Sequence, residues 1–217
     1  ILRLSKEDFC HVNPAMRKEM LSAGLSMGFM SSLINIGSLT LQTAINQLGK
    51  EIIIAHTAAR KLSEMFMIMF SVFGQTMATY CGQNMGAGKM DRVKQGMRGG
   101  VRMGLLLAVP FIVAFFGFGR LMMSLFMQEE SAVAMETGIQ FLRIVSPFYL
   151  VIALKLASDG MLRGAGAMKE FMLATFSDLI LRVVLSFVFA SFLGVTGVWL
   201  SWPFGWSVGS ILSLWCN

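Results

Sequence analysis

Charge is what this chain has least of. Asp, Glu, Lys and Arg make up 14% of its 217 residues, against roughly 25% in soluble domains. Hydrophobic residues reach 55% and mean hydropathy is +0.67, which excludes an ordinary water-soluble domain and places the chain among integral membrane proteins. Cysteine is scarce too: Cys10, Cys81 and Cys216 are scattered without CxxC spacing, so neither a disulfide framework nor a zinc site is supported. With two His residues in the whole sequence there is no metal-ligand cluster, and no nucleophile with an adjacent base can be assembled, so an enzyme is not expected. Strand-type alternation is missing, which argues against a β-barrel. The first twenty residues are polar and contain no signal-peptide core.

Long apolar stretches are present in number. Six of them, each long enough for a crossing of about 20 residues, are predicted over residues 21–48, 63–81, 100–118, 141–162, 171–192 and 198–217. The expected fold is all-α, with residues 1–20 as a cytoplasmic lead-in in which Asn13 and Pro14 start the first helix. Pro147 is expected to kink the fourth span, and Gln128, Glu129 and Glu130 to form an outer loop. The third span has few polar side chains and is expected to face lipid. His56 is placed near the outer edge of the second span as an interfacial residue, and Glu64 at the start of that span.

The basic residues give an orientation. Arg3, Lys6, Arg17, Lys18, Lys89, Arg92, Lys94, Arg98, Arg102, Arg163 and Lys169 fall on one side of such a topology; Lys50, Arg60, Lys61, Arg120 and Arg143 fall on the other. The excess marks the cytoplasmic side and puts both ends of the segment there. The formal charge of +6 is thereby explained by membrane orientation, without nucleic acid as a partner. Gly86-Ala87-Gly88 and Gly164-Ala165-Gly166 are read as matching tight turns on that side. The first of them, followed by Lys89, lacks the GxxxxGK[ST] spacing of a phosphate-binding loop.

Polar side chains inside spans are costly and mark helix contacts or a transport path. Ser31, Asn35, Ser38, Gln42 and Asn46 recur at helical spacing on the first span, and Glu64, Ser71, Gln75 and Thr79 on the second. Lys155 and Asp159 stand at i, i+4 on the fourth, and Asp178 and Arg182 at i, i+4 on the fifth. Asn35, Gln42, Asn46, Gln75, Lys155, Asp159, Asp178 and Arg182 are therefore the candidate substrate- or ion-binding residues. For the two charged pairs, mutual neutralisation on a helix face is the competing reading.

Several segments together resemble the multidrug and toxic compound extrusion (MATE) family. They are Gln42-Thr-Ala-Ile-Asn46, Ala55-His-Thr-Ala-Ala-Arg60, Gly82-Gln-Asn-Met-Gly-Ala-Gly-Lys89, Leu142-Arg-Ile-Val-Ser-Pro-Phe-Tyr149, Leu162-Arg-Gly-Ala-Gly166 and Gly197-Val-Trp199. The resemblance implies six transmembrane helices forming one lobe of a twelve-helix transporter, spans seven to twelve, in a bacterial inner membrane. It also implies a secondary multidrug antiporter that exports cationic or amphipathic compounds by alternating access. Its partners would be those small molecules, the bilayer and an N-terminal lobe, with no cofactor beyond a coupling Na⁺ or H⁺. A lipid-linked precursor flippase of the wider superfamily and a non-transporting membrane subunit are the alternatives. Where several members carry an acidic residue in the tenth span this chain has Ile152, and in place of a seventh-span Glu it offers Asn35 and its neighbours.

Overall fold

The computed structural model describes residues 14–47, 49–127 and 132–216. The expected lead-in before Pro14, Leu48 and the Gln128-Glu129-Glu130 loop lie outside the described residues. Seven α-helices follow in order: α1 (Pro14–Asn46), α2 (Lys50–Gly86), α3 (Met90–Ser124), α4 (Ala132–Val145), α5 (Tyr149–Gly164), α6 (Met168–Leu193) and α7 (Val195–Trp215). A single 3-10 turn, Ser146–Phe148, joins α4 to α5 at Pro147. Proline cannot donate its backbone hydrogen bond and its ring crowds the preceding turn, so the fourth predicted span is two helices end to end. Six helical segments result, as the apolar pattern predicts. Pro110 and Pro203, by contrast, sit inside α3 and α7 without ending them.

Among the described residues, four stretches are apolar and long enough to cross a membrane: Pro14–Thr43, Met90–Ser124, Ala132–Gly164 and Met168–Leu193. The remaining two helices differ in composition. α2 carries Lys50, Glu51, Arg60, Lys61 and Glu64 in its first half, while α7 holds all four tryptophans of the sequence among glycines and serines.

The contacts divide the chain into two compact units, Ile1–Ile36 and Gly37–Asn217. In the first, the described part of α1 bonds within itself: Ser32 Oγ donates to the Gly28 carbonyl at 3.0 Å and Asn35 Nδ2 to the Ser31 carbonyl at 2.9 Å. The second unit holds an aromatic and aliphatic core between α2, α3, α4, α5 and α7. Phe66, Phe70, Phe111, Phe115 and Tyr149 meet there with ring centroids 4.7–5.9 Å apart, the spacing at which aromatic edges and faces attract. The Tyr149 hydroxyl shares a 2.6 Å hydrogen bond with Ser63, so its polar tip is satisfied inside that core.

Small residues bring α2 and α5 together. A side chain added at Gly160 would run into the Gly74 carbonyl, and one added at Gly164 would meet Ala78 and Cys81. Such close backbone approach is how membrane helices gain dispersion energy without a hydrophobic driving force between them.

The two Gly-Ala-Gly turns prove to be the same structure. Gly88 and Gly166 take φ of 69° and 74°. Lys89 N–H reaches the Asn84 carbonyl at 2.8 Å and Ala167 N–H reaches that of Leu162 at 2.9 Å, while Gly88 and Gly166 bond three residues back. Both are Schellman caps, in which glycine supplies the left-handed residue after the helix.

Candidate functional site

α5 carries Lys155 and Asp159 one turn apart, and its neighbours α6 and α7 close over them. Lys155 Nζ lies 2.6 Å from Asp159 Oδ2 and 4.0 Å from Asp178 Oδ2 on α6. Arg182, one turn further along α6, reaches the same Asp178 oxygen at 3.2 Å. The result is a chain of alternating sign, Asp159, Lys155, Asp178, Arg182, that sums to zero. Lys155, Asp159 and Asp178 are 5%, 3% and 3% exposed. Burying ions costs several kcal/mol each unless partners compensate, and here every charge faces an opposite one.

α7 completes the arrangement through what it lacks as well as what it carries. A Cβ at Gly209 would press on Lys155 Cε and Asp178, and one at Gly205 would stand 2.5 Å from Asp178 Oδ1. The two glycines, one turn apart, let α7 lie directly on the charged side chains. One turn further, Ser213 Oγ donates to Asp159 Oδ1 at 2.5 Å. Thr175 Oγ1, Asp178 Oδ1 and Arg182 Nε are buried without a hydrogen-bond partner among the described residues.

A second polar region lies on α1 and α2. Gln42 Nε2 donates to Asn46 Oδ1 at 3.0 Å along α1. Arg60 Nε holds Glu64 Oε1 at 2.7 Å, its Nη2 reaches Ser38 Oγ at 2.5 Å, and its guanidinium lies 5.7 Å from the Trp202 ring centre. Glu64, Ser71, Gln75 and Thr79 follow on one exposed face of α2. Glu64 side-chain exposure is 58%. Because α2 begins at Lys50, Glu64 lies only four residues, about 6 Å of rise, from the middle of a 37-residue helix. The helix itself thus begins well before the span predicted over residues 63–81.

The eight sequence candidates therefore separate. Lys155, Asp159, Asp178 and Arg182 converge, Gln42 and Asn46 pair with each other, Gln75 stands exposed on α2, and Asn35 bonds the Ser31 carbonyl of its own helix within the first unit. His56 corrects its reading as an interfacial residue: it is 2% exposed, and its Nδ1 accepts a 3.2 Å hydrogen bond from Trp199 Nε1. The partner lies 143 residues away, out of reach of any local pattern. Sequence reasoning also missed Arg60 and Ser38 as partners. The i, i+4 spacing of Arg60 and Glu64 was the available signal. Among the described residues no group of three metal-capable side chains occurs.

A six-segment, all-helical membrane lobe with a buried neutral charge chain and an exposed polar face defines an integral membrane protein of the transporter type. The MatE family model matches residues 26–188, and the chain belongs to that family, whose members are transporters and not enzymes. It is similar to the probable multidrug resistance protein YpnP of Bacillus subtilis (strain 168), at 28% identity over 182 residues, 83% of this chain and 40% of the relative. Among solved structures it resembles a MATE transporter in complex with MaL6, with a TM-score of 0.89 at 17% identity, covering 98% of this chain and 48% of that one. An outward-facing multidrug resistance MATE transporter gives a TM-score of 0.87 at 18% identity, covering 94% and 47%. The chain thus spans less than half the length of the proteins it matches.

Proposed function

We propose that this chain supplies the six-helix second lobe of a secondary multidrug efflux antiporter, which exports cationic or amphipathic compounds in exchange for Na⁺ or H⁺. The observation that carries the proposal, beside family membership, is the exposed polar face of α1 and α2. Asn46, Glu64, Gln75 and Thr79 are exposed, and Gln42 is half-buried beside Asn46, on membrane-length helices. Polar side chains at that depth are tolerated where they line a water-filled path. In this reading Gln42, Asn46 and Gln75 line the substrate path facing the other lobe. The buried chain of Lys155, Asp159, Asp178 and Arg182 binds α5, α6 and α7 into one block, which moves as a unit when access alternates.

The loops that hold Gly88 and Gly166 face the cytoplasm, as the distribution of Lys and Arg supports, in the inner membrane of a bacterium. Uptake of a fluorescent cationic dye into inverted vesicles tests the function, using the full-length protein with an imposed Na⁺ gradient or an imposed pH gradient. Uptake under either gradient is the expected result and names the ion. Its absence under both overturns the antiporter reading.

A further inference from the structure

Three helices meet at the guanidinium of Arg60. Its Nε donates to Glu64 Oε1 on α2 at 2.7 Å and its Nη2 to Ser38 Oγ on α1 at 2.5 Å, while its Cζ lies 5.7 Å from the centre of the Trp202 ring on α7. A carboxylate, a hydroxyl and an indole thus surround one planar positive group, and that set of partners recognises a cation bearing N–H donors. The indole is held in its plane by other rings. His56, Phe141 and Trp206 meet it at 85°, 89° and 68°, with centroids 5.9–6.3 Å away.

A brace between α1, α2 and α7 is the competing account, and exposure weighs against it. The Glu64 and Arg60 side chains are 58% and 25% exposed, whereas those of Lys155 and Asp159, which do join helices, are 6% and 5% exposed. Glu64 shares its face of α2 with Ser71 and Gln75, also exposed. An accessible i, i+4 pair is a weak tie, so the cation that Arg60 supplies can be exchanged for another.

We propose that Glu64, Trp202 and Ser38 form a subsite for planar amidinium- or guanidinium-type cations, with Arg60 as its tethered occupant, displaced when such a compound binds. The proposal rests on the reading of the α1 and α2 face as a substrate path and names the substrate class that this face selects. An amidinium shares the plane, charge and N–H groups of a guanidinium, so it can make the same contacts with Glu64 and Ser38 and lie over the same indole. A quaternary ammonium or phosphonium has the charge but not the N–H donors. Two cations beside one carboxylate repel each other, so Arg60 has to swing outward, and the cost of freeing it lowers the apparent affinity. Arg60 thereby sets a threshold that only well-matched cations pass.

Fluorescence titration of the purified full-length protein with 4-aminobenzamidine, whose emission rises in an apolar site, tests this. Displacement by benzamidine, and not by neutral benzamide, is expected to report the specific signal. Arg60→Met removes the charge while keeping an apolar stem, and is expected to tighten binding about tenfold over the wild type. Arg60→Gln gives the same reading should the methionine variant fail to fold. In the Arg60→Met background, Glu64→Gln is expected to weaken binding at least about tenfold, and Trp202→Phe about threefold. Unchanged, weaker or undetectable binding in both Arg60 variants makes Arg60 a brace and overturns the proposal. So does equal displacement by benzamide and benzamidine, or binding untouched by Glu64→Gln. No ion gradient enters this titration, so its failure leaves the antiporter reading standing, and failed dye uptake in vesicles leaves the subsite standing.

Discussion

The polar residues of α1 and α2 and those of α5, α6 and α7 solve the same problem in opposite ways. On α5 to α7 the charges are interleaved and paired with opposite charges, with Ser213 taking up a second oxygen of Asp159. On α1 and α2, Gln42 and Asn46 pair with each other along their helix and Gln75 is left exposed. A polar group that holds helices together has to be buried among them. One that meets a passing molecule has to stay accessible, so burial divides the two roles where sequence spacing does not.

That division predicts a large penalty at Asp178. Its carboxylate lies between Lys155 and Arg182, so Asp178→Ala leaves the half-buried Arg182 without its carboxylate and the buried Lys155 with Asp159 alone. Removing one partner from a buried ionic arrangement costs about 3–5 kcal/mol. Unfolding of the purified protein in a denaturing-detergent titration is expected to show a loss of that size, and a loss under about 1 kcal/mol would mean that water reaches the site.

The coupling across α5 gives a more selective test. Lys155→Met and Asp159→Asn, made singly, should each destabilise by leaving the other member uncompensated. Made together they keep an acceptor for Ser213 and remove both charges. A double-mutant cycle is expected to return about 1–3 kcal/mol of interaction energy. Additive losses would place the two residues in separate roles and break the contrast with α1 and α2.

A packing variant separates charge from fit. Gly160→Val drives two methyl groups toward the Gly74 carbonyl, and overpacking of this kind costs about 1–3 kcal/mol. A similar loss is expected from Gly88→Val, where φ of 69° is strained for a β-branched residue. Gly86→Val should be milder: Gly86 ends α2 with open space around it. The sequence treats the two glycines of that turn alike, and only the backbone shows which one needs to be glycine.

Much of the helical pattern was legible because membrane-length apolar runs and Gly or Pro punctuation are local signals. Pro147 breaking the fourth span and glycines ending α2 and α5 follow from the chain itself. The pairs Lys155–Asp159 and Asp178–Arg182 were legible for the same reason, since i, i+4 neighbours share a helix face. Their joining was not. It depends on how closely α7 approaches through Gly205 and Gly209, which is a property of three helices at once. His56 was misplaced because five charged residues in the first half of α2 hide how far that helix extends. Its burial against Trp199 is a contact between distant parts of the sequence.

The smallest stability change is expected on the exposed face, where function should respond instead. Gln75 is exposed on α2, and Gln75→Leu alters no interhelical hydrogen bond among the described residues. Such a substitution typically shifts stability within about 0.5 kcal/mol. If Gln75 lines the substrate path, dye uptake by the full-length protein should show an altered KM, with the protein folded and inserted as before. The size of that change should depend on the dye, because a lost amide matters only to compounds that hydrogen-bond to it. An unchanged KM across several dyes, alongside normal stability, would turn this face from a substrate path into surface covered by another part of the protein. A stability loss as large as that of Asp178→Ala would mean that Gln75 braces the fold, and that exposure in this lobe does not distinguish path from scaffold.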